Sequence, residues 1–192
     1  LLKKGLFFRL KDMGEIDLAA KKGIPRLVEL GDVRGDFHAH TITSDGMDTM
    51  EEMARAARAL GYEYLAVTDH SSGRSAQTDG RLERVQKQAM EIKRLNNLDI
   101  GIHLLHGVEV DIHADGSLDL PDEVLEHLDI VIAAVHSSFM QERDAMTARI
   151  TGALANPHVD ILAHPTCRKI GEREPVDADM EAVLKTALKH GK

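Results

Sequence analysis

The first apolar stretch of the chain ends in Gly-Asp-Phe-His-Ala-His at residues 35–40, and Ser-Asp-Gly follows at residues 44–46. His38 and His40 are two residues apart, so on a β-strand both imidazoles point to the same side and can share one ion. Asp45 lies in a glycine-containing turn, where a short carboxylate side chain can fold back toward the strand end. The stretch therefore predicts a strand whose carboxyl end delivers ligands to a metal ion.

The same organisation recurs along the sequence, where short apolar runs alternate with amphipathic periods. The clearest helix begins at a capping box of Thr49 and Glu52 and ends at Gly61. Strands that alternate with helices are typical of an α/β fold with a parallel sheet or barrel. The predicted strands are residues 33–38, 62–68, 103–112, 129–136 and 160–163, and the predicted helices are residues 50–60, 82–95, 146–154 and 178–190, with a short one after Pro121.

Side chains that can bind a metal stand at or near the end of every predicted strand. In a βα barrel these ends converge on one face, which is where active sites are built. Glu109 lies between two valines in an apolar strand, where an unpaired carboxylate costs on the order of several kcal/mol. A position shared between two cations explains why this carboxylate lies in an apolar strand. Mixed imidazole and carboxylate ligands suit Zn²⁺, Mn²⁺ or Fe²⁺. The predicted ligands are His38, His40, Asp45, His70, Glu109, His136 and His164.

Other polar residues leave more than one interpretation open. Three aspartates near strand ends, Asp36, Asp69 and Asp111, either orient ligands or are solvated loop carboxylates. Cys167 follows His164 by three residues, which permits a Cys–His nucleophile, although His164 is better used as a metal ligand. The remaining histidines lack a strand-end placement and are interpreted as mostly solvated or capping residues: His103, His106, His113, His127, His158 and His190.

The composition is that of a folded, soluble protein of one domain. The chain has 192 residues, of which 43% are hydrophobic and 29% charged, and no apolar run approaches the ~20 residues of a membrane span. A net charge of −8 argues against a generic nucleic-acid-coating surface, although bound cations would change the charge near a metal site. Eleven histidines and no Trp indicate metal or acid–base chemistry before base stacking.

The chain divides by composition into a short first segment and a predicted domain, and it has one cysteine. Residues 1–31 are basic and glycine-spaced, and are interpreted as a linker or lead-in segment, whereas residues 32–192 form the predicted domain. A single cysteine, Cys167, cannot form an internal disulfide, which agrees with a cytoplasmic location.

The ligand motifs together resemble the polymerase and histidinol phosphatase (PHP) family over residues 32–192. The matching motifs are residues 35–40, 44–46, 68–70, 107–111, 135–137 and 164–166. Three further stretches make the sequence most similar to the C-terminal PHP domain of bacterial family X DNA polymerases: residues 26–30, 115–121 and 156–162.

The resemblance implies a distorted (β/α)₇ barrel whose site holds two or three divalent metal ions, Mn²⁺, Zn²⁺ or Fe²⁺. Seven of the family's nine ligand positions match. The Asp-x-His motif that supplies the last two is absent, and the sequence stops after about five βα units. We therefore expect a barrel that is truncated, two unpaired edge strands that lead to either a homo-oligomer or marginal stability, and reduced activity in this chain.

The resemblance also implies hydrolysis of phosphoester bonds, as a 3′–5′ exonuclease or 3′-end-processing activity on DNA, within a DNA-repair polymerase whose polymerase domains precede this segment. Glu109 would bridge two ions, and with His38 and His40 it would act in catalysis by activating a metal-bound hydroxide. His136 and His164 would complete the paired site. Asp45 and His70 would hold a third ion, and Arg74, Arg168 and Arg173 would bind substrate phosphates unless they are ordinary solvated arginines.

Two alternatives share these ligands. One is a small-molecule phosphatase like histidinol phosphatase. The other is a non-catalytic module that binds metal and stabilises a polymerase.

Overall fold

A computed structural model of the protein describes residues 14–21, 23, 25–72 and 78–192. The chain divides into two units, Leu1–Val33 and Arg34–Lys192. In the described part of the first unit, helix α1 spans Glu15–Ala20 and a short 3₁₀ helix spans Leu30–Asp32. Residues 1–13 of the predicted linker lie outside the described residues, so the interpretation of residues 1–31 as a linker stays a prediction.

The second unit is built on a five-stranded parallel sheet. Its strands occur in chain order, each hydrogen-bonded to the next, as in the wall of a barrel. Within the described residues, the first and last strands each have one neighbour and are the sheet's edges. The predicted α/β class and incomplete barrel are confirmed. The strands are β1 (Gly35–Ala39), β2 (Tyr64–Val67), β3 (His103–Asp111), β4 (Ile130–Ala134) and β5 (Ile161–Leu162).

Helices connect the strands as predicted, with ends displaced by a few residues. Thr49 accepts a hydrogen bond from the amide of Glu52, whose carboxylate accepts one from the Thr49 amide, so the predicted capping box is confirmed. Across the described residues, no helix is long and apolar enough to pass through a membrane. The helices are α2 (Met50–Ala59), α3 (Thr78–Asn97), α4 (Asp122–Leu125), α5 (Arg143–Leu154) and α6 (Met180–His190).

Strand β3 is central because its two halves pair with different neighbours. Residues 103–106 pair with β2, and residues 107–111 pair with β4. Gly107 lies at the change of partner, where a Cβ atom would stand 2.5 Å from Ile130 Cγ2 and 2.8 Å from Thr68 Cγ2. A larger residue would force these neighbours apart, so glycine is required for the close approach. The second half of β3 carries Glu109.

The inner strands of the sheet are buried on both faces, as is usual for parallel strands, whereas β1 and β5 are partly exposed. Along β4, Val131 and Ala133 pack into a core with helices α5 and α6, while Ile132 and Ala134 pack on the opposite side with Ala163. A separate core lies between β2, β3, α2 and α3. Packing on both faces holds the strand ends in fixed positions, which is what a metal site needs.

One prediction about the remaining histidines is wrong. His106 was expected to be solvated or capping, but it lies in β3 and its Nε2 is buried with no hydrogen-bond partner among the described residues. The physical reason is that α3 packs over β3, and this burial lowers the pKa of His106.

Candidate metal centre

Glu109 lies at the centre of five histidines. Its side chain is 1% exposed, and five imidazole nitrogens approach its two carboxylate oxygens. The Oε2 atom lies 3.4 Å from His38 Nε2, 3.4 Å from His40 Nε2 and 3.0 Å from His70 Nδ1. The Oε1 atom lies 3.3 Å from His136 Nε2 and 3.0 Å from His164 Nε2.

Asp45 joins this group from the β1–α2 loop. Its Oδ1 lies 3.4 Å from His40 Nδ1, and its Oδ2 lies 3.4 Å from His70 Nε2. All seven ligands predicted from the sequence are thus brought together, and we call them the Glu109 cluster: His38, His40, Asp45, His70, Glu109, His136 and His164.

The cluster forms at the carboxyl ends of neighbouring parallel strands. His38 lies in β1, His70 follows β2 and forms a parallel bridge with Glu109 in β3, and two further histidines follow β4 and β5. His164 has a backbone φ of +26°, and Cys167 in the same turn has a φ of +51°. Such conformations cost on the order of 1–3 kcal/mol each in a non-glycine residue and concentrate at functional sites.

The residues present fit a site for several divalent ions. Three overlapping triads each have ligand atoms within 4.8 Å of one another. Glu109 and His38 Nε2 are buried, and His38 Nε2 makes no hydrogen bond within the described part of the chain, as expected of a ligand atom. Imidazole and carboxylate donors suit Zn²⁺, Mn²⁺ or Fe²⁺. The triads are His38–His40–Glu109, His40–Asp45–His70 and His70–Glu109–His136.

His70 lies between the two parts of the cluster. It was expected to hold a third ion together with Asp45, and this role stays a prediction. Its Nε2 does face Asp45, but its Nδ1 lies 3.0 Å from Glu109 Oε2. The reason is the backbone bridge between His70 and Glu109, which brings the ring beside the carboxylate. His70 therefore links the two parts of the cluster.

The carboxylate and the imidazoles shift each other's pKa values. Burial raises the pKa of Glu109, but hydrogen bonds from the imidazoles, first those of His136 and His164, outweigh burial and hold the pKa far below its usual range. Burial lowers the pKa of His136, but hydrogen bonds to Asp111 and Glu109 raise it to about 9. Contacts with Cys167 and then Glu109 raise the pKa of His164 to about 10. Without metal, the cluster therefore holds protons at neutral pH.

Metal binding should release protons and strengthen as the pH rises. A metal ion binds only a neutral imidazole, so loading must displace the protons of His136 and His164. We expect release of about two protons per chain near pH ~7.5, measured by titration calorimetry in buffers of different ionisation enthalpy. Binding of the same affinity at pH ~6 and pH ~9, with no proton release, would contradict this.

The same two histidines should make the stability of the metal-free protein depend on pH in the opposite direction. Their pKa values in the folded protein, about 9 and 10, lie above the ordinary value of 6.5. Their contribution to stability is therefore fully present below pH 6.5 and is lost as the pH rises through 9 to 10.

All three aspartates that the sequence left open contact the cluster or its supporting loop. Asp111 Oδ1 lies 2.5 Å from His136 Nδ1, which turns Nε2 of that ring toward Glu109. Asp69 accepts hydrogen bonds from the amide and hydroxyl of Thr41 and the hydroxyl of Ser44, and so holds the loop that carries Asp45. The third, Asp36, accepts a hydrogen bond from the amide of His38.

Substitution of Asp111 tests this orienting role. Asp111→Asn should reduce metal affinity by about 10–100-fold, because carboxylates that orient ligating histidines typically contribute this much. Competition with a chromophoric chelator measures the affinity. Asp115→Asn is the matched control, since Asp115 lies in the exposed turn after β3 and accepts hydrogen bonds from Ser117. Equal metal affinities of the two variants would contradict the role of Asp111 in orienting His136.

Of the three arginines predicted to bind phosphate, the two that the structure describes make no described contact with the cluster's side chains. Arg74 lies outside the described residues, and Arg168 is exposed. Arg173 donates its Nε–H to the carbonyl of Cys167, and its guanidinium lies 3.6 Å from the ring centre of Phe139. Their role in phosphate binding stays a prediction.

Two arginines near the site were missed from the sequence. Arg84 on α3 donates from Nη2 to the carbonyl of Ser71, the residue after His70, at 2.6 Å. Arg149 on α5 is 2% exposed and donates to the carbonyls of Ile112 and Ser137, so it ties together the loops that follow β3 and β4. Arg81, Arg84 and Gln88 are spaced three and four residues apart and so share one helix face. That spacing was the sequence signal that could have identified Arg84.

The burial of Cys167 argues against the Cys–His nucleophile, although the thiol contacts His164. Cys167 is 3% exposed, and its Sγ lies 3.5 Å from the carbonyl oxygen of Val135. A reactive thiolate needs an accessible, electropositive surrounding. His164 Nε2 faces Glu109 instead, as a metal ligand would.

Comparison with known proteins agrees with this geometry. The family model described as "PHP domain" matches residues 36–188. The "DNA polymerase/3'-5' exonuclease PolX" of Bacillus subtilis is 45% identical over 163 residues, which are 85% of this chain and 29% of that protein. A protein of Acetivibrio thermocellus named "Probable phosphatase" is 32% identical over an alignment of 167 residues that covers 82% of this chain and 62% of that protein.

A solved structure gives a weaker likeness. The histidinol phosphate phosphatase of Lactococcus lactis, complexed with zinc, L-histidinol and phosphate, has a TM-score of 0.48 and 17% identity, covering 70% of this chain and 58% of that one. The chain thus spans 29% and 62% of the length of the two curated relatives.

Proposed function

This chain belongs to the PHP domain family, and from that membership we propose that it hydrolyses phosphoester bonds with divalent metal ions held by the Glu109 cluster. The observation that carries the proposal is the shell of five imidazole nitrogens, 3.0–3.4 Å from the oxygens of one buried carboxylate. The names of the two curated relatives, an exonuclease and a phosphatase, support the same reaction class.

Each residue near the metal centre has its own role in the proposed hydrolysis. Glu109 would be shared between ions, since each of its oxygens faces its own set of imidazoles. His70 connects this pair to Asp45, and Asp111 keeps His136 in the orientation that a ligand needs. Divalent ions held there would polarise a phosphoester and lower the pKa of a water molecule toward ~7. Arg84 contacts the carbonyl of Ser71, the residue after His70, and its guanidinium is suited to binding a substrate phosphate.

Within this class, we assign the substrate to the 3′ end of DNA. The support is the identity of 45% to a relative whose name includes 3'-5' exonuclease. The small-molecule phosphatase is the second candidate, because a relative named "Probable phosphatase" covers 82% of the chain at 32% identity. A non-catalytic module is the third, and metal content without turnover on any phosphoester would favour it.

Direct comparison of two substrates separates the first two candidates. Labelled single-stranded DNA and histidinol phosphate are offered to the same metal-loaded protein. We expect kcat/KM to be at least roughly tenfold higher for DNA, which corresponds to about 1.4 kcal/mol of transition-state binding. The rate on DNA should fall as salt rises, because phosphate contacts release counterions. A preference for histidinol phosphate would overturn the assignment to DNA.

A further inference from the structure

A groove lies beside the Glu109 cluster, between the β1–α2 loop and helix α3. Its cavity volume is about 280 Å³. Ile42, Thr43 and Met50 form one wall, and Arg84, Lys87 and Gln88 form the other. We call it the α3 groove. Arg84 and Lys87 are three residues apart on a helix, so they lie on the same face. Their Cβ atoms are expected about 5–6 Å apart.

The groove leads toward the metal ligands. A smaller cavity of about 10 Å³ shares Thr43, Arg84 and Gln88 with it and is also lined by His70. Arg84 stands at the junction, where its Nη2 is held 2.6 Å from the carbonyl oxygen of Ser71. The smaller cavity has room for about one water molecule, so the link it shows is one of position: Arg84 lies between the ligand His70 and Lys87.

The charges in the α3 groove favour an anion. Arg84 has no carboxylate within ion-pair distance among the residues that the structure describes. Lys87 pairs with Glu83 at 2.7 Å, but this pair is exposed on one helix face, and such pairs are weak enough for a phosphate to displace. The acid that lines the groove, Glu91, is already bound by Arg94 at 2.7 Å and 2.8 Å.

We propose that the α3 groove binds the sugar-phosphate backbone of one polynucleotide strand whose end is hydrolysed at the Glu109 cluster. Arg84 contacts the phosphate nearer the cluster, and Lys87 contacts the next one along the strand. Ile42, which is exposed, provides apolar surface for a sugar or a base. The inference rests on the proposed function, because it assumes that the reacting phosphoester lies at the cluster.

A polynucleotide fits these observations better than a small phosphate ester. A single phosphate at the cluster can reach Arg84, but it leaves Lys87 and the outer part of the groove without a role. A strand places successive phosphates along the groove and uses both cations, and two such contacts add to the salt dependence of binding.

The test compares Lys87→Ala with Lys185→Ala. The two lysines are matched, since Lys185 pairs with Glu181 at 2.7 Å with the same spacing, but on α6, away from the groove. Two readouts are taken with Mn²⁺ present. One is kcat/KM on a single-stranded oligothymidylate relative to kcat/KM on bis(p-nitrophenyl) phosphate. The other is binding of a phosphorothioate oligothymidylate, which resists hydrolysis, by fluorescence anisotropy at several salt concentrations.

For Lys87→Ala we expect the ratio of the two kcat/KM values and the oligonucleotide affinity to fall about tenfold, and the salt slope of binding to shrink by about 0.7. Arg84→Gln should weaken binding at least as much. Lys185→Ala should match the wild type. Equal effects of the two lysine substitutions, or no effect of either, would contradict the proposal that the α3 groove binds a polynucleotide strand. Binding that follows the expected pattern without hydrolysis of either substrate would overturn the proposed function and leave the groove standing.

Discussion

Glu109→Gln is expected to abolish hydrolysis and to empty most of the metal site. The substitution keeps the shape of the side chain but removes the negative charge that faces five imidazoles in a buried position. An amide cannot neutralise two cations, and its NH₂ group would face imidazoles where a carboxylate oxygen stood. The loss of kcat/KM should exceed the about 10–100-fold typical of a residue that only orients a ligand. Elemental analysis and hydrolysis of bis(p-nitrophenyl) phosphate measure the two effects.

Three substitutions away from the cluster serve as controls. Glu126→Gln removes an exposed carboxylate, and His103→Ala and His127→Ala remove exposed imidazoles. All three should keep wild-type metal content and activity. Thermal unfolding shows whether Glu109→Gln is folded. If the four variants lost metal and activity equally, the site would have been misplaced.

Removal of the metal ions is expected to have the second large effect on activity and stability. Chelation should abolish hydrolysis, and addition of Mn²⁺, Zn²⁺ or Fe²⁺ should restore it. Ions present at about 100–1,000 times their dissociation constant stabilise the folded state by about 2.7–4.1 kcal/mol. For a domain of this size, each kcal/mol shifts the melting temperature by about 2–4 °C. The melting temperature of the metal-free protein should therefore be lower by about 5–15 °C.

The Glu109→Gln variant provides the internal control for chelation. Its melting temperature should respond little to added metal, because the residue proposed to touch two ions is gone. Elemental analysis of wild-type protein purified without chelator should find at least one transition-metal ion per chain. Metal-free protein that remains as stable as before and takes up no ion on titration would refute the metal centre.

Local physical chemistry was enough to predict the elements of the fold. The capping box at Thr49 and Glu52 marks the start of α2, and alternating apolar runs predict the strands, because a side-chain period of two or of 3.6 is visible in a short window. The seven predicted ligands were also found this way. Parallel strands bring their carboxyl ends to one edge, so the residues that follow each strand must meet there. The linker and the domain boundary at residue 32 stay predictions.

Contacts between distant segments were decided by the tertiary structure. His164 Nε2 meets Glu109 Oε1 across 55 residues of chain, and which oxygen faces which ring depends on the register of β3, β4 and β5. The bridge between His70 and Glu109 brings His70 beside the carboxylate, a contact that the sequence did not predict. Arg84 gained its place beside the cluster because α3 packs on β3. A sequence shows which side chains a strand end presents, but packing between elements decides which atoms they meet.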